Sequence, residues 1–418
     1  MRSVLFIALF MLLIENASAY NYEFTNIPSC SVVSIDNERS KITSNLGVDF
    51  DESICKSAMV IPKSETAISV TKKNDIIELS SEEKKLIKKY KDKILKLAKD
   101  AGVSRKTRNA FYDSVEYKNN ITKLSNAQPE KKTYLVDYMM NQLSAENIAI
   151  LSKNINLRKN RDKEMFDNLE KIFAVERSIM TALWMHETKF GKIMGNTRVI
   201  DSLFTLAYTN EKKREFFETN LIQFLQIIDM GHGDIGSRGS WAGAFGQVQF
   251  MPQTFLKYAI NYDDKDKIDL WNKEEDALAS LANYLYNIKW KKDGGLITEV
   301  ILPDEFDYCL AGYVENKVKT VEEWKKLGVK LGKSRFGAKY FHDQYKKAWL
   351  IIPDRTHIFQ NGCKPRAFLA YENFGHILDW NRSMFFGVTI AALQHESEKI
   401  FKTVDVASKK NDDDDENE

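Results

Sequence analysis

Residues 179–191 read Ile-Met-Thr-Ala-Leu-Trp-Met-His-Glu-Thr-Lys-Phe-Gly. Apolar residues recur at Ile179, Met180, Leu183, Trp184 and Phe190, which is the spacing of one helical face. Glu187 stands four residues after Leu183 and three before Phe190, so its carboxyl belongs to that apolar face. Gly191 reads as a left-handed stop just past the last turn of a helix running from about Asp162 to Phe190. A carboxyl among apolar neighbours loses hydration, and its pKa rises. Such a group holds a proton near neutral pH and can give it to a leaving oxygen. The structural alternative is a glutamate paired with a lysine or arginine on a half-buried helix.

A second stretch has a different texture. Between Gly231 and Gly246 there are six glycines in sixteen residues, within GHGDIGSRGSWAGAFGQVQFMP. A P-loop is excluded, because no strand followed by a GKS or GKT pattern is present. Glycine also lets a bulky ligand approach the backbone closely. Ser240, Gln247 and Gln249 lie among these glycines together with Phe245, Phe250 and Met251. Amides beside apolar faces suit a saccharide: hydroxyl and N-acetyl groups bond to the amides and pyranose faces pack on the apolar groups. An ordinary helix-entry loop would have the same composition.

The chain has 418 residues and 43% hydrophobic content, enough for a large core or two to three domains. A formal net charge of +2 gives no sign of a polyanionic partner, and no nucleic-acid binding is expected. Residues 1–19 read as a secretory signal. Arg2 supplies the positive region, Val4 to Ile14 is an apolar run too short to span a bilayer, and Ala17-Ser18-Ala19 is an A-x-A cleavage site. With no lipid-attachment cysteine there and no later apolar span, an exported soluble protein without stable membrane insertion is expected. Cys30, Cys55, Cys309 and Cys363 allow three disulfide pairings, of which the local one, Cys30 with Cys55 and Cys309 with Cys363, is the expectation. No C-x-x-C pair exists, so zinc is not expected.

Residues 20–80 show no helical period and read as an irregular extension. Ser80-x-x-Glu83 is a capping box that opens a helix ending near Gly102. Residues 81–165 read as a helical flanking domain, broken at Asn119-Asn120 and at Gln128-Pro129. Residues 166–296 form the core, with helical patterns over Asp201–Tyr208, Glu211–Met230 and Glu274–Trp290. Residues 297–370, with short apolar runs and three prolines, read as a small strand-containing subdomain. Helix returns over 371–404, and the acidic tail 405–418 reads as disordered. Residues 261–275 resemble a calcium loop, with oxygens at Asn261, Asp263, Asp269 and Glu275. Lys265 and Asp266, however, occupy positions that want an oxygen ligand and a glycine.

Three stretches together carry a resemblance. They are HETKFG at 186–191 with the following MGNTRVIDSLFTLAY, GSWAGAFGQVQFMP at 239–252, and ENFGHILDWNRS at 372–383. In this order and spacing the chain resembles the membrane-bound lytic murein transglycosylase B family, bacterial enzymes that cleave peptidoglycan, over about residues 85–400. The resemblance implies a mainly α (α+β) fold: a lysozyme-like catalytic core with a helical flanking domain and a small strand-containing subdomain. It implies Glu187 as the only catalytic carboxylate, with Ser240, Gln249 and Asn381 holding the saccharide. Phe250, Met251 and Trp380 are implied as packing or stacking neighbours. Lys213 and Arg214 fall, by a looser match, where the family places cations near the substrate's peptide. The implied partner is the peptidoglycan glycan strand, in the periplasm, with no metal or organic cofactor; no motif indicates a protein partner. Two other readings stay open. A hydrolytic muramidase would want a second carboxylate, for which Asp201 and Asp234 are nearest in sequence. A non-catalytic peptidoglycan-binding protein would not need Glu187.

Overall fold

The computed structural model describes residues 79–126, 134–263, 267–332, 347–354 and 366–415, with side chains to residue 403. The signal and extension, Cys30, Cys55 and Cys363, the Gln128-Pro129 break, and Lys265 with Asp266 lie outside the described residues.

The capping box forms as its sequence requires. Ser80 Oγ accepts the Glu83 amide, Glu83 returns its carboxylate to the Ser80 amide at 2.8 Å, and α1 runs Ser81–Asp100. Then follow α2 (Arg105–Ser114), α3 (Asn119–Asn126), α4 (Leu135–Gln142), α5 (Ala145–Arg161) and α6 (Lys163–Phe173). The break between α2 and α3 falls at 115–118, ahead of the expected Asn119-Asn120, and Asn119 begins a helix. Its cause is tertiary: the Glu116 amide donates to Asp201 Oδ1 and the Lys118 amide to Thr205 Oγ1, which takes both out of a helical ladder.

The expected helix from Asp162 to Phe190 is two helices. Ala174 takes a left-handed conformation (φ 52°) and ends α6. Glu170 then accepts the Arg177 amide at 2.7 Å and the Arg177 guanidinium, which anchors the start of α7 (Arg177–Thr188). The stop is also earlier than expected: Lys189 and Phe190 are already left-handed ahead of Gly191. Phe190 accepts that strained backbone because its ring is buried edge-on against Trp184, centroids 4.9 Å apart.

Next come β1 (Thr197–Arg198), α8 (Val199–Thr209), a 3-10 turn at Glu211–Lys213, α9 (Arg214–Asp229), β2 (Arg238–Gly239), α10 (Pro252–Tyr258) and α11 (Glu274–Asn287). β1 and β2 pair antiparallel. The expected strand-containing region is present, with β3 (Ile297–Ile301), β4 (Lys319–Thr320), α12 (Val321–Lys326), β5 (Lys330–Leu331), β6 (Lys347–Ile351) and β7 (Ala367–Ala370). These strands form an antiparallel sheet in the order β4-β6-β7-β3-β5. Alternation assigns its two faces. Ile297, Ile351, Phe368 and Ala370 join the helical core, while Val300, Leu350, Leu369 and Trp324 build a second, smaller core. The chain ends in α13 (Glu372–Trp380) and α14 (Met384–Asp415). α14 carries the backbone helix into the tail read as disordered: a helix already anchored by packing extends without a new nucleation step. No described helix is long and apolar enough to cross a membrane.

α7 lies at the centre, with every residue from Ser178 to Thr188 buried. It packs most extensively on α14, and also on α11. Arg158 of α5 braces its end from outside, its guanidinium 4.8 Å from the Trp184 ring and paired with Glu274 of α11 at 2.6 Å. The turn after α7 runs against β2 so closely that a Cβ on Gly195 (φ +91°) would lie 2.1 Å from the Gly239 carbonyl oxygen. Gly195→Ala should therefore cost about 2–4 kcal/mol of stability, read as a fall in urea midpoint with unchanged m-value.

Candidate active site

Glu187 sits one residue before the end of α7, 2% exposed. Because α7 has no wet face, the carboxyl meets protein on all sides. Among the described residues one donor reaches it: Trp380, the last residue of α13, gives its indole N–H to Glu187 Oε1 at 2.8 Å. Burial pushes the Glu187 pKa up to about 8, and the indole bond pulls the other way without cancelling it. The paired-glutamate alternative fails, since no lysine or arginine among the described residues forms an ion pair with Glu187. Its neighbour His186 is buried as well, and burial lowers its pKa to about 3, so the imidazole is neutral at physiological pH. His186 Nε2 lies 3.4 Å from the Tyr138 hydroxyl, and its ring stands edge-on to Phe386.

Trp380 is wedged rather than exposed. Tyr284 of α11 stands edge-on to it at 5.0 Å and Phe250 lies at 5.6 Å. Phe250 and Met251 are each 2% exposed, so both are packing residues, Phe250 against Trp380. Phe250 also closes the glycine-rich loop by exchanging backbone hydrogen bonds with Phe245. Asn381 follows Trp380 and accepts the Ser383 amide on Oδ1 at 3.0 Å, shaping the turn into α14.

The glycine-rich loop is fastened to the end of α7 by Gln247. Its Oε1 accepts the Trp184 indole N–H at 3.1 Å and its carbonyl accepts the Thr188 hydroxyl at 2.6 Å. The contact is tight: a Cβ on Gly191 would come within 2.7 Å of Gln247 Oε1. Within the loop, Ser240 Oγ accepts the Ala244 amide at 3.1 Å. Gln249, left-handed at φ 51°, sends its side-chain amide to the Met194 and Gly246 carbonyls. Ser240 and Gln249 thus order the loop that borders α7. Arg214 donates to the Ala207 and Tyr208 carbonyls at the end of α8, and the Lys213 amide bonds to Asn210.

Two carboxylates considered as a second catalytic group are engaged elsewhere. Asp201 is held bidentately by Arg198 at 2.9 and 3.0 Å and accepts the Glu116 amide. Asp234 accepts the Gly236 amide at 2.6 Å. In the calcium-like loop, Asp269 and Asp276 accept backbone amides of that same loop; Asp276, not Glu275, is the carboxylate turned into it. Among the described residues no group of three or more His, Cys, Asp or Glu side chains could hold a metal ion. Gln247, Tyr284 and Asn373 carry structural weight here that sequence reasoning did not assign. Asn373 bonds the Lys291 amide and carbonyl at 3.0 and 2.7 Å and so fixes the start of α13. Its place in the ENF motif was the available signal.

A model of the transglycosylase SLT domain matches residues 87–395. The chain belongs to this family. Its three motifs fall inside the matched span, and Glu187, Trp380 and the glycine-rich loop are the parts they bring together. It is 32% identical over 134 residues to membrane-bound lytic murein transglycosylase B of Escherichia coli (strain K12), an alignment covering 32% of this chain and 37% of that protein. Among solved structures it is similar to SltB3 from Pseudomonas aeruginosa in complex with NAG-NAM-pentapeptide. There the TM-score is 0.66, with 29% identity over 75% of this chain and 79% of that one. The Escherichia coli lytic transglycosylase Slt35 in complex with bulgecin A shares the fold at a TM-score of 0.60, with 20% identity over 74% of this chain and 92% of that one. The lysozyme-like fold expected from the motifs is the fold of this chain.

The raised pKa has a thermodynamic consequence. Below the ordinary glutamate pKa of about 4.5, Glu187 is protonated folded and unfolded; as pH rises toward about 8, only the unfolded chain loses the proton, so stability falls across that window. Glu187→Gln should remove this dependence and be more stable than the wild type at pH 8.5 by ~2 kcal/mol or more, read by urea denaturation at several pH values. Trp380→Phe deletes the one donor to the carboxylate among the described residues. It should raise the Glu187 pKa by about one unit, measured by carbon NMR of the labelled carboxyl.

Proposed function

We propose that this protein is a peptidoglycan lytic transglycosylase that cleaves the β-1,4 bond between N-acetylmuramic acid and N-acetylglucosamine without hydrolysis. The observation that carries the reading is the setting of Glu187: a buried carboxyl, its pKa raised by desolvation, that accepts the Trp380 indole N–H as its one donor among the described residues. An ordinary glycosidase works with two carboxyl groups about 5–10 Å apart. Here Asp201 and Asp234 are occupied by other partners, and no second acid among the described residues perturbs Glu187. A reaction needing one acid that then becomes the base fits that arrangement.

Protonated Glu187 gives its proton to the glycosidic oxygen as the bond to muramic acid C1 breaks. The N-acetyl group of the same sugar can stabilise C1 from the opposite face. Ionised Glu187 then takes the proton of the sugar's own C6 hydroxyl as that oxygen bonds to C1. The products are a free N-acetylglucosamine hydroxyl and a 1,6-anhydromuramoyl end; no water is consumed. A pKa near neutrality suits a group that must release a proton and recover one in a single turnover. Ser240 and Gln249 would hold the saccharide through the loop they order, and Asn381 would border it beside Trp380. Lys213 and Arg214 would lie toward the substrate's peptide or carboxylate groups, with Arg214 steadied by the Ala207 and Tyr208 carbonyls at the end of α8. Residues 1–19 would direct export to the periplasm, where the polymer lies.

Mass spectrometry of products from purified peptidoglycan tests the chemistry. Muropeptides with anhydro ends, one water lighter than reducing ends, are expected. Reducing ends would make the protein a muramidase. Glu187→Gln should lower release by at least about a thousand-fold while the folded protein still sediments with peptidoglycan.

A further inference from the structure

A groove of about 480 Å³ opens between α1 and the end of α2. Its floor is apolar: Ile87 and Val115 are buried there, with the Tyr112 ring beside them. Its rim is cationic. Lys84, Lys88 and Lys91 recur on α1 at spacings of four and three residues, which stacks them along one edge. Lys91 is steadied by the Tyr112 carbonyl at 3.5 Å, its ammonium 5.8 Å from the centre of that ring. None of the three lysines forms an ion pair with a carboxylate among the described residues. Glu116, the acid in the lining, is itself bonded to Lys118.

Three ammonium groups over an apolar floor suit carboxylates interleaved with hydrophobic side chains. The chain supplies such a segment. Leu79 borders the groove and is the first described residue, so the part of the chain that precedes it enters at the groove itself. Residues 47–54, GVDFDESI, carry Asp49, Asp51 and Glu52 together with Val48, Phe50 and Ile54, and no cation. Elsewhere between residues 20 and 78 acids stand singly or in pairs. Twenty-four residues separate Ile54 from Leu79, a reach of up to ~80 Å, and a tether of that kind gives a local concentration on the order of millimolar. The nearer pair, Asp75 and Glu78, cannot cover all three lysines. Lys91 lies about 16 Å along α1 from Ser80, whereas residues 75–78 span at most about 14 Å even without a turn.

We propose that this groove is the docking site of residues 48–54 of the same chain, with Phe50 and Ile54 on the apolar floor and Asp49, Asp51 and Glu52 on the lysine rim. The extension is thereby tied to the flanking helices. The inference is independent of the transglycosylase reading, since neither the groove nor the segment includes a residue assigned to the reaction. Zero-length carbodiimide coupling of the full-length protein tests it, using equal amounts of unlabelled and isotope-labelled chains and mass spectrometry of the coupled peptides. Coupling of Lys84 or Lys88 to Asp49, Asp51 or Glu52 within one chain is expected. Amide hydrogen exchange of residues 48–54 should be at least about ten-fold slower than in the same segment as a free peptide. Lys84→Glu/Lys88→Glu alters two exposed residues toward the N-terminus of α1, where acids suit the helix dipole, so the helix is retained. That variant should lose the slowed exchange, and adding Asp49→Lys/Asp51→Lys should restore it. Coupling only between chains would make the groove an interface of two copies, and coupling only to the acidic residues 412–418 would make the tail its occupant. Exchange in 48–54 as fast as in the free peptide, or slowed exchange that survives the lysine reversal, would place the segment elsewhere. Each of these results overturns the proposal.

Discussion

The desolvation of one carboxyl sets the terms for the rest of this structure. Glu187 is out of water because α7 is buried on every side, and among the described residues the only donor to its charged form is the Trp380 indole. An ionised group in such a place is unfavourable, so the proton stays on to unusually high pH. The surroundings must hold this arrangement against its own cost. Arg158 clamps the end of α7 to α11, Gln247 ties the glycine-rich loop to the same turn, and α14 covers the length of the helix. Stability given up at Glu187 is the physical counterpart of the acid it provides.

The sheet serves the same site from a distance. β7 runs through Tyr371 directly into α13, and α13 ends on Trp380. The Tyr371 hydroxyl bonds Thr298 of β3 at 2.9 Å, and Asn373 grips the Lys291 backbone. The start of α13 is therefore fixed to the sheet and to the segment that leads into it, and its far end places the indole against the carboxyl. Glu176 contributes at the opposite end of α7, accepting the Trp290 indole N–H at 2.7 Å and the Asp293 amide at 2.5 Å. Both ends of the central helix are thus bonded to tryptophans that flank the sheet in sequence.

Much of this was legible before the fold. The capping box at Ser80 and Glu83, the apolar stripe that includes Glu187, and the short apolar runs within 297–370 report local forces: an amide seeking an acceptor and side chains seeking the core. The breaks were read less well. Ala174 and Lys189 are poor left-handed residues by intrinsic preference, and they take that conformation because Glu170 captures Arg177 and Phe190 is drawn into the core. The turn at 115–118 depends on Asp201 and Thr205, which are remote in sequence.

The sequence by itself determined the class of fold and set Glu187 on an apolar helical face as the candidate acid, because periodicity, caps and three motifs are properties of short stretches of chain. Only the tertiary structure decided how that acid is tuned. Trp380 lies 193 residues from Glu187 along the chain, and no local rule joins them. Only folding, too, set Phe250 and Met251 as packing and bonded Arg214 to the carbonyls at the end of α8. Desolvation and hydrogen-bond geometry depend on which distant side chains share a volume, and that volume exists only once the helices and the sheet have packed.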